Sequence, residues 1–156
     1  TNTYEPYLSV TITKKVVGDM GDTTKNFSFT ATLDTTQIRQ GSAYTTAGDG
    51  AALTDTGFTL RSGGSVTLTH LRADQTLTLT ETDPGDHTVS WQLNGDDGPT
   101  GVTCTLQVPR AQPAEITCIN TRNVGIPTGL HTGAAPYLAL VGLCWLGWRL
   151  LRRREV

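Results

Sequence analysis

The stretch VTITKKVV, Val10 to Val17, decides the fold class. Side chains of a β-strand alternate between two faces. Val10, Ile12, Lys14 and Val16 then share one face, and Thr11, Thr13, Lys15 and Val17 the other. The first face is apolar except for Lys14. The same alternation recurs down the chain. Phe27, Phe29, Ala31 and Leu33 alternate with Ser28, Thr30 and Thr32. Phe58 and Leu60 pass through the Ser62-Gly63-Gly64-Ser65 turn to Val66 and Leu68. Leu77, Leu79 and Glu81 alternate with Thr76, Thr78 and Thr80. Val89, Trp91 and Leu93 run into Asn94-Gly95-Asp96-Asp97-Gly98, which reads as a turn. Val102, Cys104, Leu106 and Val108 share a phase. Beyond Pro109-Arg110-Ala111-Gln112-Pro113, so do Ile116, Cys118 and Asn120. No helical period precedes residue 133. Seven to nine short strands at this spacing predict an all-β chain folded as a β-sandwich over residues 9–122.

Composition agrees. Threonine and glycine are abundant and aromatic residues few, as suits strands with one solvated face. The formal charge is −2 and only three lysines occur, Lys14, Lys15 and Lys25. No basic patch is available, so nucleic acid is not an expected partner. The chain starts at Thr1. It reads as a processed product or an excerpt, so the missing signal peptide carries no weight.

The C-terminal residues differ in kind. Residues 1–8 are a polar lead-in and 123–133 a linker. Residues 134–148 carry no charge, Arg149 can snorkel to a membrane interface, and 152–156 carry Arg152, Arg153 and Arg154. A helix from Pro136 to Leu151 would span roughly 24 Å at about 1.5 Å per residue, a little short of a hydrocarbon core of roughly 30 Å. Trp145 and Trp148 fall where an aromatic belt would lie, and the arginines place that end in the cytoplasm. The expectation is a transmembrane helix over 134–151, with the β domain outside.

Lys14 is not the only polar residue in an apolar phase. Glu81 continues the phase of Leu77 and Leu79, and Asn120 that of Ile116 and Cys118. A lone buried charge costs several kcal/mol, so each group must neutralise or find a partner. Three readings stay open. The three residues form a buried Lys–Glu pair with a hydrogen-bonded asparagine, or they lie at wet strand ends, or they react. Burial in an apolar pocket favours neutral amines, which are nucleophiles, and protonated carboxyls, which shuttle protons. An amine beside an asparagine amide can displace ammonia and leave a Lys–Asn isopeptide bond between the first and last strands.

Several motifs occur in one order: VTITKKVVG, NFSFTATL, GGSVTLTHL, LTLTETD, ITCINTRN, GIPTG, then an apolar segment opening with APY and an arginine cluster. Over roughly residues 9–156 this resembles the C-terminal domain of Gram-positive sortase-assembled pilins, of the streptococcal major-pilin type. The resemblance implies an Ig-like sandwich of the CnaB kind. It also implies an autocatalytic bond between Lys14 and Asn120, with Glu81 as the assisting acid and base. Lys15 is the alternative lysine, because a slip of one residue flips every side chain. The resemblance further implies a cell-wall sorting signal at GIPTG. Sortase would read Ile126, Pro127, Thr128 and Gly129 and cut between Thr128 and Gly129. The Thr128 carboxyl would pass to an amine on a neighbouring pilin subunit or a peptidoglycan precursor. The membrane would be a transient partner before that step. The family's polymer-forming lysine has no counterpart here, and Lys25 in DTTKNF reads as a solvated turn residue. The implied role is a structural subunit or stalk domain anchored to the cell wall outside the cell, and not an enzyme.

Cys104 and Cys118 are symmetric about Ala111. If the last two strands form a hairpin, the two cysteines face each other, and either a disulfide or two buried thiols follow. Cys144 reads as apolar filler. His70, His87 and His131 fall in turns or the tail and lack the spacing of metal ligands, so no metal and no cofactor is expected. Two rival functions remain. One is a membrane-anchored adhesin or ligand-binding sandwich without the bond. The other is a hydrolase pairing Glu81 with Asp83, which needs two carboxylates in one cleft.

Overall fold

The computed structural model describes residues 7–39, 45–110 and 114–125. Strand β1 (Leu8–Val17) takes the alternation read from the sequence. Leu8, Val10, Ile12, Lys14 and Val16 are buried, and Lys15 is exposed. It is followed by β2 (Phe27–Leu33), β3 (Thr36–Ile38), β4 (Thr45–Ala47), β5 (Ala51–Thr54) and β6 (Gly57–Leu60). Next come β7 (Ser65–Leu71), β8 (Thr76–Glu81), β9 (Thr88–Leu93), β10 (Asp96–Thr100), β11 (Thr103–Gln107) and β12 (Ala114–Thr121).

The strands form two sheets. One has the order β10-β9-β12-β1-β7-β4, the other β11-β8-β2-β6-β5, with β3 also paired to β2. Every pairing is antiparallel except that of β1 with β12, which is parallel. One core lies between the sheets. Val10, Ile12, Val66, Leu68, Trp91 and Ile116 come from the first, and Phe27, Phe29, Phe58, Leu60, Leu77 and Leu79 from the second. Each such side chain contributes about 1.5–3 kcal/mol by leaving water. The outer faces carry the threonines. Across β8 and β11, Thr78 and Thr105 share a hydroxyl hydrogen bond at 3.2 Å, and Thr80 and Thr103 one at 3.1 Å. The expected β-sandwich is therefore observed.

Three expectations are corrected. The described residues hold twelve strands, more than seven to nine, because short edge strands add to the count. The turn expected over Asn94–Gly98 is only Asn94-Gly95. Both take positive φ, 51° and 89°, and Asp96 already pairs with Leu93 in β10. Asn-Gly is the favoured pair for such a two-residue hairpin. The third correction concerns β11 and β12. They do not form a hairpin: β11 pairs with β8 in one sheet, and β12 with β1 and β9 in the other. The connection crosses between sheets. The end of β11 is tied to the β7–β8 turn, where Val108 N donates to Gln75 O at 2.8 Å and Asp74 N to Val108 O at 3.0 Å.

Among the described residues no helix is long and apolar enough to cross a membrane. The expected helix over 134–151, the basic tail and Ile126, Pro127, Thr128 and Gly129 lie outside the described residues.

Candidate functional site

Lys14, Glu81 and Asn120 meet in the core. They are the buried polar or charged residues of the described chain, with exposures of 1%, 1% and 0%. Lys14 and Asn120 stand on neighbouring strands of the first sheet, where Lys14 pairs with Cys118 and Val16 with Asn120. Glu81 ends β8 in the opposite sheet, paired with Phe29. The lysine and asparagine thus project from one wall of the sandwich, and the carboxylate from the other.

The backbone of Lys14 is held on both sides. β12 flanks one edge. On the other edge Lys14 N donates to Gly64 O at 3.0 Å, and Gly63 N to Lys14 O at 2.8 Å. Gly63 takes φ +83° in this turn, a region that favours glycine. Beyond Asn120, Arg122 N donates to Val17 O at 3.1 Å and Met20 N to Arg122 O at 3.1 Å. Gly18 allows that closure. Its φ is +96°, and a Cβ there would lie 2.3 Å from Arg122 O.

Glu81 Oε1 lies between the two nitrogens. Asn120 Nδ2 donates to it at 2.7 Å, and Lys14 Nζ is 3.4 Å away. Lys14 Nζ also donates to Cys118 Sγ at 3.3 Å. It sits 4.6 Å from the centroid of the Phe27 ring and 5.6 Å from that of Phe29, over faces that attract cations. Cys118 Sγ is 3.6 Å from Glu81 Oε2 and 3.9 Å from Asn120 Oδ1, as a donor to either. Burial pushes the Cys118 thiol up to about 12, with the Lys14 charge opposing that rise. A protonated sulfur can accept from nitrogen and donate to oxygen at once.

The arrangement sets an amine and a side-chain amide on one carboxylate, in a pocket walled by aromatic rings. Those are the parts needed to join the amine to the amide carbonyl and protonate the departing nitrogen.

Other residues fall elsewhere. Lys15 faces solvent, so the register selects Lys14 for the core. Asp83 is exposed and pairs with Lys25 at 3.6 Å, so it does not join Glu81 in a cleft. Lys25 is more than a solvated turn residue: it is half-buried, and its Nζ lies 5.0 Å from the centroid of the same Phe27 ring that Lys14 approaches. Cys104 and Cys118 are both buried free thiols, which corrects the disulfide reading. Their strands lie in different sheets, so the opposed hairpin positions do not exist. Val102 is exposed and leaves the phase of Cys104. His87 is half-buried, with its ring edge-on to Phe27 at 5.3 Å, rather than simply solvated. Sequence reasoning missed Cys118 and Phe27 as neighbours of the amine. Both lie in inward phases, but only the pairing of strands brings them to Lys14.

Comparisons with known proteins follow this geometry. A family described as a domain of unknown function, DUF7601, matches residues 8–122. The Pilin of Streptococcus pyogenes serotype M1 is 28% identical over 150 residues, covering 85% of this chain and 44% of that protein. The solved major pilin of Streptococcus pyogenes superposes with a TM-score of 0.54 at 24% identity, covering 74% of this chain and 48% of the other. An adhesin of Mobiluncus mulieris, described as containing intramolecular disulfide, isopeptide and ester bond cross-links, gives a TM-score of 0.53 at 16% identity. That match covers 74% of this chain and 41% of the adhesin. The chain spans less than half the length of each of these relatives. The similarity to pilins carried by the sequence motifs is found again in both kinds of comparison.

Proposed function

Because the chain belongs to the DUF7601 family, whose domain here has the fold of pilin domains, we propose that it is a structural or stalk domain of a pilus or surface adhesin. In this reading it is displayed outside the cell and cross-linked to itself by a Lys14–Asn120 isopeptide bond. One observation carries the proposal: Glu81 Oε1 contacts both Lys14 Nζ, at 3.4 Å, and Asn120 Nδ2, at 2.7 Å, inside a core that excludes water.

The reaction runs within the triad. A proton passes from the Lys14 ammonium to the Glu81 carboxylate, so the pair stays neutral overall. The neutral amine attacks Asn120 Cγ, and the C=O electron pair moves to Oδ1. Glu81 returns its proton to Nδ2 and takes one from the attacking nitrogen. The C–Nδ2 bond breaks and ammonia leaves. The product is one amide in place of another, with no oxidant or cofactor consumed. Glu81 remains protonated, so no unpaired charge stays in the core. The bond joins β1 to β12, already hydrogen-bonded in parallel, and closes almost the whole domain into a covalent loop. A strand pair locked in this way resists unzipping by force and by proteases.

The sorting signal completes the reading. GIPTG, followed by an apolar segment and arginines, would present Thr128 to sortase and fix the domain to peptidoglycan or to a neighbouring pilin subunit. Two experiments test the two halves. Proteolysis of the reduced protein followed by tandem mass spectrometry should yield a branched peptide joining Lys14 to Asn120; two separate linear peptides would refute the bond. Thr128→Ala should move the chain from the muramidase-released wall fraction to the membrane fraction. Unchanged wall attachment would refute the anchor.

A further inference from the structure

Cys118 lies at the centre of the site, yet neither the motifs nor the proposed reaction give it work. At this inward position of β12, fully buried and opposite Trp91, burial alone calls for an apolar side chain. Its sulfur instead touches all three polar groups: Lys14 Nζ at 3.3 Å, Glu81 Oε2 at 3.6 Å and Asn120 Oδ1 at 3.9 Å.

We propose that Cys118 is a positioning residue for the bond-forming step, its sulfur holding the Lys14 amine in the orientation that attacks Asn120. The inference rests on the cross-linking reading above. A neutral amine has two N–H bonds and one lone pair. Cys118 Sγ and Glu81 Oε1 offer acceptors for the two N–H bonds. The lone pair is then the direction left for the amide carbon, two residues along β12 from Cys118. A freely rotating amine would spend most of its time misaligned, and fixing such a rotor is a recognised source of rate. The thiol has a single proton, and Glu81 Oε2 is the nearer acceptor in the resting site. Once Glu81 has taken the Lys14 proton, and as negative charge develops on Asn120 Oδ1 in the attack, the S–H can turn to the new charge. Burial keeps the sulfur protonated at neutral pH, so Cys118 does not itself attack the amide.

The test times the reaction in the full chain. The protein and its Cys118→Ala, Cys118→Val and Cys118→Ser variants are synthesised in a cell-free reaction with reductant. Aliquots are quenched and weighed, giving the fraction that has lost ammonia. A protease pulse on parallel aliquots gives the folded fraction. The expected result is a loss of ammonia per folded molecule about tenfold slower in the alanine and valine variants, the scale of one hydrogen bond. The serine variant, whose hydroxyl also accepts from nitrogen and donates to oxygen, keeps a rate within about threefold of wild type. A merely structural role would change the folded fraction and leave the rate per folded molecule alone. If alanine prevents folding, valine against serine decides, since valine fills the same space. Alanine or valine at the wild-type rate overturns the inference and leaves the bond standing. Serine as slow as valine also overturns it. A wild-type chain that never loses ammonia overturns both this inference and the reading beneath it.

Discussion

Asn120→Ala removes the acyl partner of the proposed bond but leaves Lys14 and Glu81 in place. Its cost can be worked from two parts. The bond closes a loop of 120 − 14 = 106 residues. Constraining the unfolded chain over about 100 residues is worth about 4.7 kcal/mol. Losing the Asn120 side chain also leaves the buried Glu81 carboxyl short of a hydrogen-bond partner, the isopeptide amide in the bonded protein or the free Asn120 amide in an unbonded one, at about 1–3 kcal/mol. Together they come to about 6–8 kcal/mol. The matched domain spans residues 8–122. At about 2.1 cal/mol/K per residue its unfolding entropy is about 0.24 kcal/mol/K. The melting temperature should therefore fall by about 25–33 °C. Without a bond, only the hydrogen-bond part remains, and the fall would be about 4–12 °C. Differential scanning calorimetry of the reduced full-length proteins separates the two ranges. A fall below about 12 °C would refute the loop-closure argument.

Other substitutions have smaller expected effects. Lys15→Ala, on the exposed face of β1, should change stability by no more than about 0.5 kcal/mol in urea unfolding, since a solvated lysine neighbouring the site has no part in it. Gly18→Ala should cost about 2 kcal/mol or more, because the added Cβ meets Arg122 O at 2.3 Å and φ is +96°. Chemical denaturation would measure it, and a neutral result would refute the close approach of β1 and β12 there. The Cys118 thiol, raised from 9.0 to about 12 by burial, gives a pH dependence of definite sign. Between those values the unfolded chain has lost the proton and the folded one keeps it. Stability is thus fully present below pH 9 and falls towards pH 12, with a slope of up to about 1.4 kcal/mol per pH unit. Cys118→Val should flatten that decline, and an identical decline in the variant would refute it.

Much of the fold was legible because alternation reports which side chains point inward. Lys14, Glu81 and Asn120 were each found from the phase of their own strand, and all three are buried. Alternation does not report which strands pair. The stretch of Cys104 and that of Cys118 looked like two arms of a hairpin, yet they belong to different sheets. The connection through Pro109 carries no local mark of a crossing between layers. Cys118 was missed as a neighbour of Lys14 for the same reason: their adjacency depends on the parallel pairing of the first and last strands, over a separation no local pattern spans. β10 was unreadable because Asp96, Asp97, Gly98, Pro99 and Thr100 form an edge strand with little burial on either face. Only Asn94-Gly95 marked its start, and edge strands tolerate proline and charge.

The most direct test of the central claim is the intact mass of the reduced, purified full chain beside its Lys14→Ala and Glu81→Ala variants. The account predicts that the wild type weighs one ammonia less than its sequence, and that both variants weigh what their sequences require. A wild-type mass equal to the plain sequence would contradict it, and would leave Lys14 and Glu81 as a buried ion pair hydrogen-bonded to Asn120.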